Sequence, residues 1–216
     1  MGWAVIDSSG RFKHVPINNA WKVLDSSGRG KAFLDSSMFT GTNWTDLTDG
    51  GATTLHTHVG GGFTLGTEQA STSGTAIDFT GIPAGTKIIV VEYVGVSISG
   101  TANLRIQLGD SGGFETTGYL GTDQAFSTIT NWSAGFDTNA FGATALVHGA
   151  VILTLEDSTD FTWICSGQLG SESGAQNLRH MAGSKSLSAE LTQIRITTSN
   201  GTDTFDAGSL NILYSS

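Results

Sequence analysis

Apolar and polar residues alternate with a period of two through most of the second half of the chain. Asn103-Leu104-Arg105-Ile106-Gln107-Leu108-Gly109 and Leu191-Thr192-Gln193-Ile194-Arg195-Ile196-Thr197 each place apolar side chains on one side and polar ones on the other. That is the pattern of a half-buried β-strand. Lys87 to Val96 reads as a long strand after the turn Pro83-Ala84-Gly85. Ala145 to Leu155 and Phe161 to Gly167 read as two more, separated by the polar run Glu156 to Asp160. Asn200-Gly201 predicts a hairpin turn, and Ser209 to Tyr214 predicts the last strand. No segment keeps a 3.6-residue period over ten or more positions. The pattern therefore predicts an all-β chain with a C-terminal β-sandwich of jelly-roll type over residues 76–216.

The first forty residues follow a different rule. Trp3-Ala4-Val5-Ile6-Asp7-Ser8-Ser9-Gly10-Arg11 returns as Trp21-Lys22-Val23-Leu24-Asp25-Ser26-Ser27-Gly28-Arg29, with an echo at Leu34-Asp35-Ser36-Ser37. Each unit is a short apolar run closed by a turn, since Asp and Ser bond their own backbone and Gly accepts positive φ. Phe12, Val15 and Ile17 predict a further short strand, with Pro16 marking an edge. Units this small bury no core alone and must stack on neighbours or on other chains. Residues 1–40 read as β-hairpins leading into the chain or as an attachment segment, and the attachment reading is favoured. Residues 41–75, rich in Gly and Thr, read as a connector.

Composition sharpens this picture. Thirty glycines against two prolines, with charged residues at only 13 %, suit tight turns and surfaces that pack against identical copies. A net charge of −9 opposes binding to nucleic acid, which needs Lys and Arg to neutralise phosphates. It equally opposes electrostatic anchoring on an anionic membrane. No basic stretch followed by an apolar run opens the chain, so no cleaved signal peptide is expected. No apolar run is long enough to span a bilayer. The single cysteine, Cys165, lies in the strand-like run Phe161 to Cys165 and reads as a small buried hydrophobe.

The candidate chemistry is sparse. In His56-Thr57-His58 both imidazoles fall on the same side of an extended chain. Two ligands are too few for a tight site. Three chains about a threefold axis would supply six imidazole nitrogens around one ion. Imidazole suits several transition metals, and an all-nitrogen octahedron makes Fe(II) the first choice and Zn(II) the second.

Trp44-Thr45-Asp46-Leu47-Thr48-Asp49-Gly50-Gly51, continuing to Leu55-His56-Thr57-His58, resembles connector segments of bacteriophage tail fibres and related virion proteins. Phe79 to Lys87 and Ile106 to Tyr119 are similar to a domain common in phage and prophage tail proteins. The resemblance covers most of residues 44–216. It implies a homotrimeric virion protein of the tail, made in the host cytoplasm, with His56 and His58 holding one axial metal. Residues 1–40 would then meet other tail or baseplate proteins, and the C-terminal domain would meet a glycan or protein on the host surface.

Glycan cleavage would need two carboxylates flanking the scissile bond. Glu92, Glu115, Glu156 and Asp160 form no convincing pair in the sequence, His148 reads as a sheet residue, and Asp110-Ser111-Gly112-Gly113 reads as a turn. No enzymatic activity is expected. Sugar sites stack aromatic rings on pyranose faces. Tyr119, Trp132 and Phe136, with Asn139 for hydroxyl contacts, are the candidates for receptor binding, the alternative being that the rings fill the sandwich or a trimer interface. Two competing functions remain: an architectural baseplate, neck or capsid decoration protein without a receptor, and a glycan-degrading enzyme.

Overall fold

The computed structural model describes four strands within residues 2–35, as backbone, and then residues 62–125, 128–172 and 178–215. The connector histidines lie outside the described residues. The chain divides into two compact units, Met1–Gly60 and Gly61–Ser216.

The first unit holds two hairpins. β1 (Gly2–Ile6) pairs with β2 (Phe12–Pro16), in a register running from Gly2 opposite Pro16 to Ile6 opposite Phe12. β3 (Ala20–Leu24) pairs with β4 (Gly30–Asp35). The apolar runs after Trp3 and Trp21 thus each form the leading strand of a hairpin. Pro16, which has no N–H to donate, closes β2 at its last residue.

The second unit is a sandwich of two antiparallel sheets. Along the chain come β5 (Thr64–Leu65), β6 (Gln69–Ala70), β7 (Ala76–Thr80), β8 (Ile88–Ile98) and β9 (Leu104–Asp110). The short strands β10 (Gly113–Phe114), β11 (Leu120–Ala125), β12 (Thr128–Asn131) and β13 (Phe136–Asp137) follow. Then come β14 (Val147–Asp157), β15 (Thr162–Ser171), β16 (Leu178–Ser186), β17 (Gln193–Thr198) and β18 (Phe205–Ser215). No helix occurs among the described residues, so none there is long and apolar enough to cross a membrane.

The pairing is that of a folded-over hairpin. β6 pairs with β18, β7 with β17, β8 with β14, and β9 with β13, each antiparallel. These nested pairs split between two sheets, in the order β6-β18-β8-β14 and β7-β17-β9-β13. Eight strands so arranged are a jelly roll. Two insertions enlarge it. β10 to β12 lie between β9 and β13, β15 and β16 lie between β14 and β17, and β11 pairs with β16. The larger sheet therefore grows to nine strands.

Core residues come from both sheets. Ile77, Phe79, Leu104, Ile106, Leu108, Ile194 and Ile196 of the smaller sheet meet Ile89, Val91, Val151, Leu153, Trp163 and Cys165 of the larger one in one buried cluster. Burial raises the Cys165 thiol pKa, which suits an inert core residue better than a nucleophile.

Two boundaries differ from the sequence expectation. The head starts ahead of residue 76, because Leu65 pairs with Leu213 and Gln69 with Leu210 along the free edge of β18. Strands of two residues carry too little pattern to be read in advance. Asn200-Gly201 turns the chain but closes no hairpin. β17 belongs to the smaller sheet and β18 to the larger, so the turn crosses between layers. Its geometry is local: Asn200 Oδ1 accepts from the Thr202 and Asp203 amides, and Gly201 takes φ +68°.

Candidate functional site

The structure gathers Tyr119, Trp132 and Phe136 into one group where the insertions join the jelly roll. Tyr119 and Phe136 meet edge to face at 4.9 Å between centroids, and Trp132 and Phe136 at 5.6 Å. Geometries of this kind align a ring's positive edge with its neighbour's negative face. All three rings are buried, Phe136 completely. This corrects the expectation of an open stacking platform: no pyranose face reaches these rings. The polar run around Trp132 concealed this burial. Trp132 lies against Gly121 and Gly183, which face each other across β11 and β16, and two glycines leave a flat floor for an indole.

The Tyr119 hydroxyl ties the layers together. It accepts from the Leu108 amide at 2.7 Å and donates to the Glu115 carbonyl at 3.0 Å. Asn139 is half-buried and engaged as well. Its backbone amide and Nδ2 donate to the two carboxylate oxygens of Asp123, at 2.6 and 3.0 Å. Asp123 is fully buried, and desolvation raises its carboxyl pKa despite the Asn139 bonds and nearby Arg179. Arg179 donates to the Ala140 carbonyl at 2.6 Å and lies 5.0 Å from the Phe141 ring centre. These polar groups fix the chain around residues 137–141 against β11 and β16.

The carboxylates named as possible acids are dispersed. Glu92 lies half-exposed on β8, and Glu156 and Asp160 are exposed at the end of β14 and in the turn that follows. Glu115 pairs with Lys185, a nearly buried lysine on β16, and accepts from the Ser188 amide at 2.6 Å. Desolvation pushes the Glu115 carboxyl up, but Lys185 and Ser188 outweigh it and hold the pKa below its ordinary value. Asp110 accepts from the Ser188 hydroxyl at 2.7 Å and from the Gly112 amide at 2.7 Å, which together lower its pKa. A glycosidase general acid needs the opposite shift.

Gly109-Asp110-Ser111-Gly112-Gly113 fits the Gly-x-Ser-x-Gly pattern of a nucleophile elbow by its letters. That motif requires a strand, a sharp turn and a helix. Here Asp110 pairs with Gly113 in a hairpin turn from β9 to β10, and no helix follows. His148 and His180 belong to β14 and β16 of the other sheet. The Gly95 amide donates to His148 Nδ1 at 3.2 Å.

Around Ser188 the surface forms a shallow concavity of about 320 Å³, lined by Asp110, Phe114, Glu115, Thr116, Thr117 and Ser188. Hydroxyls, two carboxylates and one aromatic residue line it. The sequence placed these residues in a turn but gave no sign that Ser188, 78 positions beyond Asp110, would join them. Among the described residues no group of three or more His, Cys, Asp or Glu is arranged to hold a metal ion. Compared with known proteins, the chain matches no protein-family model, no curated protein and no solved structure.

Proposed function

We propose that the protein is a non-enzymatic bacteriophage tail-fibre protein. It works as a homotrimer, joined to tail or baseplate proteins through residues 1–40 and carrying a head that contacts a glycan or protein on the host surface. The observation that supports this most is the division of labour along the chain. Two short hairpins with no room for a core of their own precede a complete jelly-roll head. Short hairpins of this kind gain stability only by packing on something else.

Within the head, the concavity around Ser188 is the proposed contact. Its acceptors are ionised at neutral pH, and Thr116 and Thr117 stand exposed at its rim. Such a surface suits the hydroxyl groups of a sugar. His56 and His58 from three chains would hold a single Fe(II) or Zn(II) on the axis.

The test is binding of labelled full-length protein to host cells, with Thr116→Arg and Thr117→Arg as variants that crowd the concavity. We expect cell binding by the native protein and at least a tenfold loss in the variants, with unchanged melting temperature. A native protein that binds no host cell would favour an architectural component of the same particle.

A further inference from the structure

We infer that the outer face of the nine-stranded sheet is the surface through which copies of this chain pack together. The inference rests on the homotrimer of the proposed function and names the interface that trimer would use.

The argument begins with β8. An antiparallel strand with one face in water alternates apolar and polar residues, whereas a strand covered on both faces reads as a nearly continuous apolar run. β8 opens Ile88-Ile89-Val90-Val91 and continues Tyr93-Val94. Ile89, Val91 and Tyr93 point into the sandwich and are buried. Ile88, Val90 and Val94 point the other way and are left half-covered or exposed, Val94 at 58 %.

The register then assembles an apolar row across four strands. Leu65 of β5 pairs with Leu213 of β18, Leu213 with Val90 of β8, and Val90 with Ile152 of β14. Leu65 is 61 % exposed and Ile152 45 %. The row continues through Ser166 and Ala182, which are small. A second row runs parallel to it. Ile88 pairs with Thr154, Thr154 with Ile164, Ile164 with Ser184, and Ser184 with Leu120. Leu120 is the most exposed large apolar residue among those described, at 69 %. Contiguous exposure on this scale marks an interaction surface on a soluble protein.

Two properties select a second copy as the occupant. The first is charge. The chain carries −9 overall, so copies repel one another except through a face without like charges. Neither row holds a charged residue. In the adjoining row, which runs from Asn211 through Glu92, Ala150, Gln168 and His180 to Gln124, Glu92 is the one carboxylate. A basic partner would find only Glu92 here to pair with.

The second is area. Strands lie about 4.8 Å apart and rise about 3.3 Å per residue. The five long strands β16, β15, β14, β18 and β8 thus present roughly 800 Å², about what each partner contributes to a stable interface.

The test is the mass of the full-length protein in solution, by sedimentation at micromolar concentration. Ile152→Asp and Ile164→Asp put a carboxylate in the first and second row respectively, and Ile152→Val serves as a conservative control. We expect the native chain and Ile152→Val to sediment as an oligomer, and each Asp variant to fall to 22.4 kDa. The thermal melt and aromatic circular dichroism of the head report that it is still folded. A second pair, Ile152→Ser and Ile164→Ser, keeps the test open if an Asp variant unfolds; each would weaken association at least tenfold. A monomeric native chain, or folded variants that stay oligomeric, would overturn the interface. The latter outcome leaves the tail-fibre reading intact, since cell binding tests that separately. A native dimer that the substitutions dissolve supports the interface and overturns only the threefold count.

Discussion

Trp132 fits because its neighbours have no side chains. A Cβ on Gly183 would stand 2.3 Å from the Leu120 carbonyl oxygen and 2.5 Å from the Trp132 ring. Gly183→Ala must therefore push β11 away or rotate the indole. We expect a loss of about 1–3 kcal/mol, the ordinary cost of overpacking, read as a lower urea midpoint. An unchanged midpoint would mean that the ring relaxes freely. Acid titration probes the same region. Glu115 and Asp110 have folded carboxyl pKa values below their ordinary ones. Their contribution is complete above the unfolded values, about 4 for both residues, and is lost as pH falls through the folded values. Asp123 has the opposite sign. Its raised pKa penalises the folded state at neutral pH, and acid relieves that penalty. Glu115→Gln should flatten the fall in stability below about pH 4.5, measured as melting temperature against pH. A parallel curve for the variant would remove Glu115 from the acid transition.

Among the elements, β13 is, with β6, one of the two shortest members of the jelly roll, with two residues paired to β9. A fork of bonds reinforces it. Arg105 of β9 donates Nε and an Nη to the two Asp137 carboxylate oxygens, at 2.6 and 2.7 Å. Both side chains are largely shielded from water. Asp137→Ala should cost about 2–4 kcal/mol, because it strands a guanidinium in a half-dry site. The double variant Arg105→Met/Asp137→Leu should cost less than Asp137→Ala alone. Denaturant unfolding of the three proteins decides this, and a double variant that is the least stable would sink it. The Arg195–Asp78 fork has similar geometry but is about one-third exposed. It should contribute much less.

For the whole molecule, the two units predict where the chain can be cut. A fragment of residues 61–216 keeps β5 and β6 on the edge of β18 and should melt as the head of the full chain does. A fragment of residues 76–216 uncovers that edge, and an unpaired edge invites other strands. It should aggregate on heating and melt lower. Equal melting by light scattering and calorimetry would show that β5 and β6 contribute nothing. The axial metal proposed above would likewise be a property of the whole assembly. Elemental analysis of the native trimer should find one metal ion per three chains, lost in His56→Ala/His58→Ala. A metal-free native trimer would exclude the site.

Alternation along the chain is enough to state the class of structure and most of the long strands. Period-two alternation at Leu104 to Leu108 and Ile194 to Ile196 states directly which face is buried, because a strand's side chains alternate whatever it pairs with. The apolar runs Trp3 to Ile6 and Trp21 to Leu24, expected as short strands, lie in β1 and β3. Partner choice was decided only in three dimensions. β16 was invisible because Leu178 to Ser186 mixes Arg, His and Lys with small residues, and the buried Arg179 and Lys185 find partners at Ala140 and Glu115, far away in the sequence. Tyr119, Trp132 and Phe136 looked like surface rings for the same reason. Their neighbours in sequence are polar, and the groups that enclose them come from strands far along the chain. Local pattern reports which side of a strand is apolar, and only the tertiary structure reports what covers it.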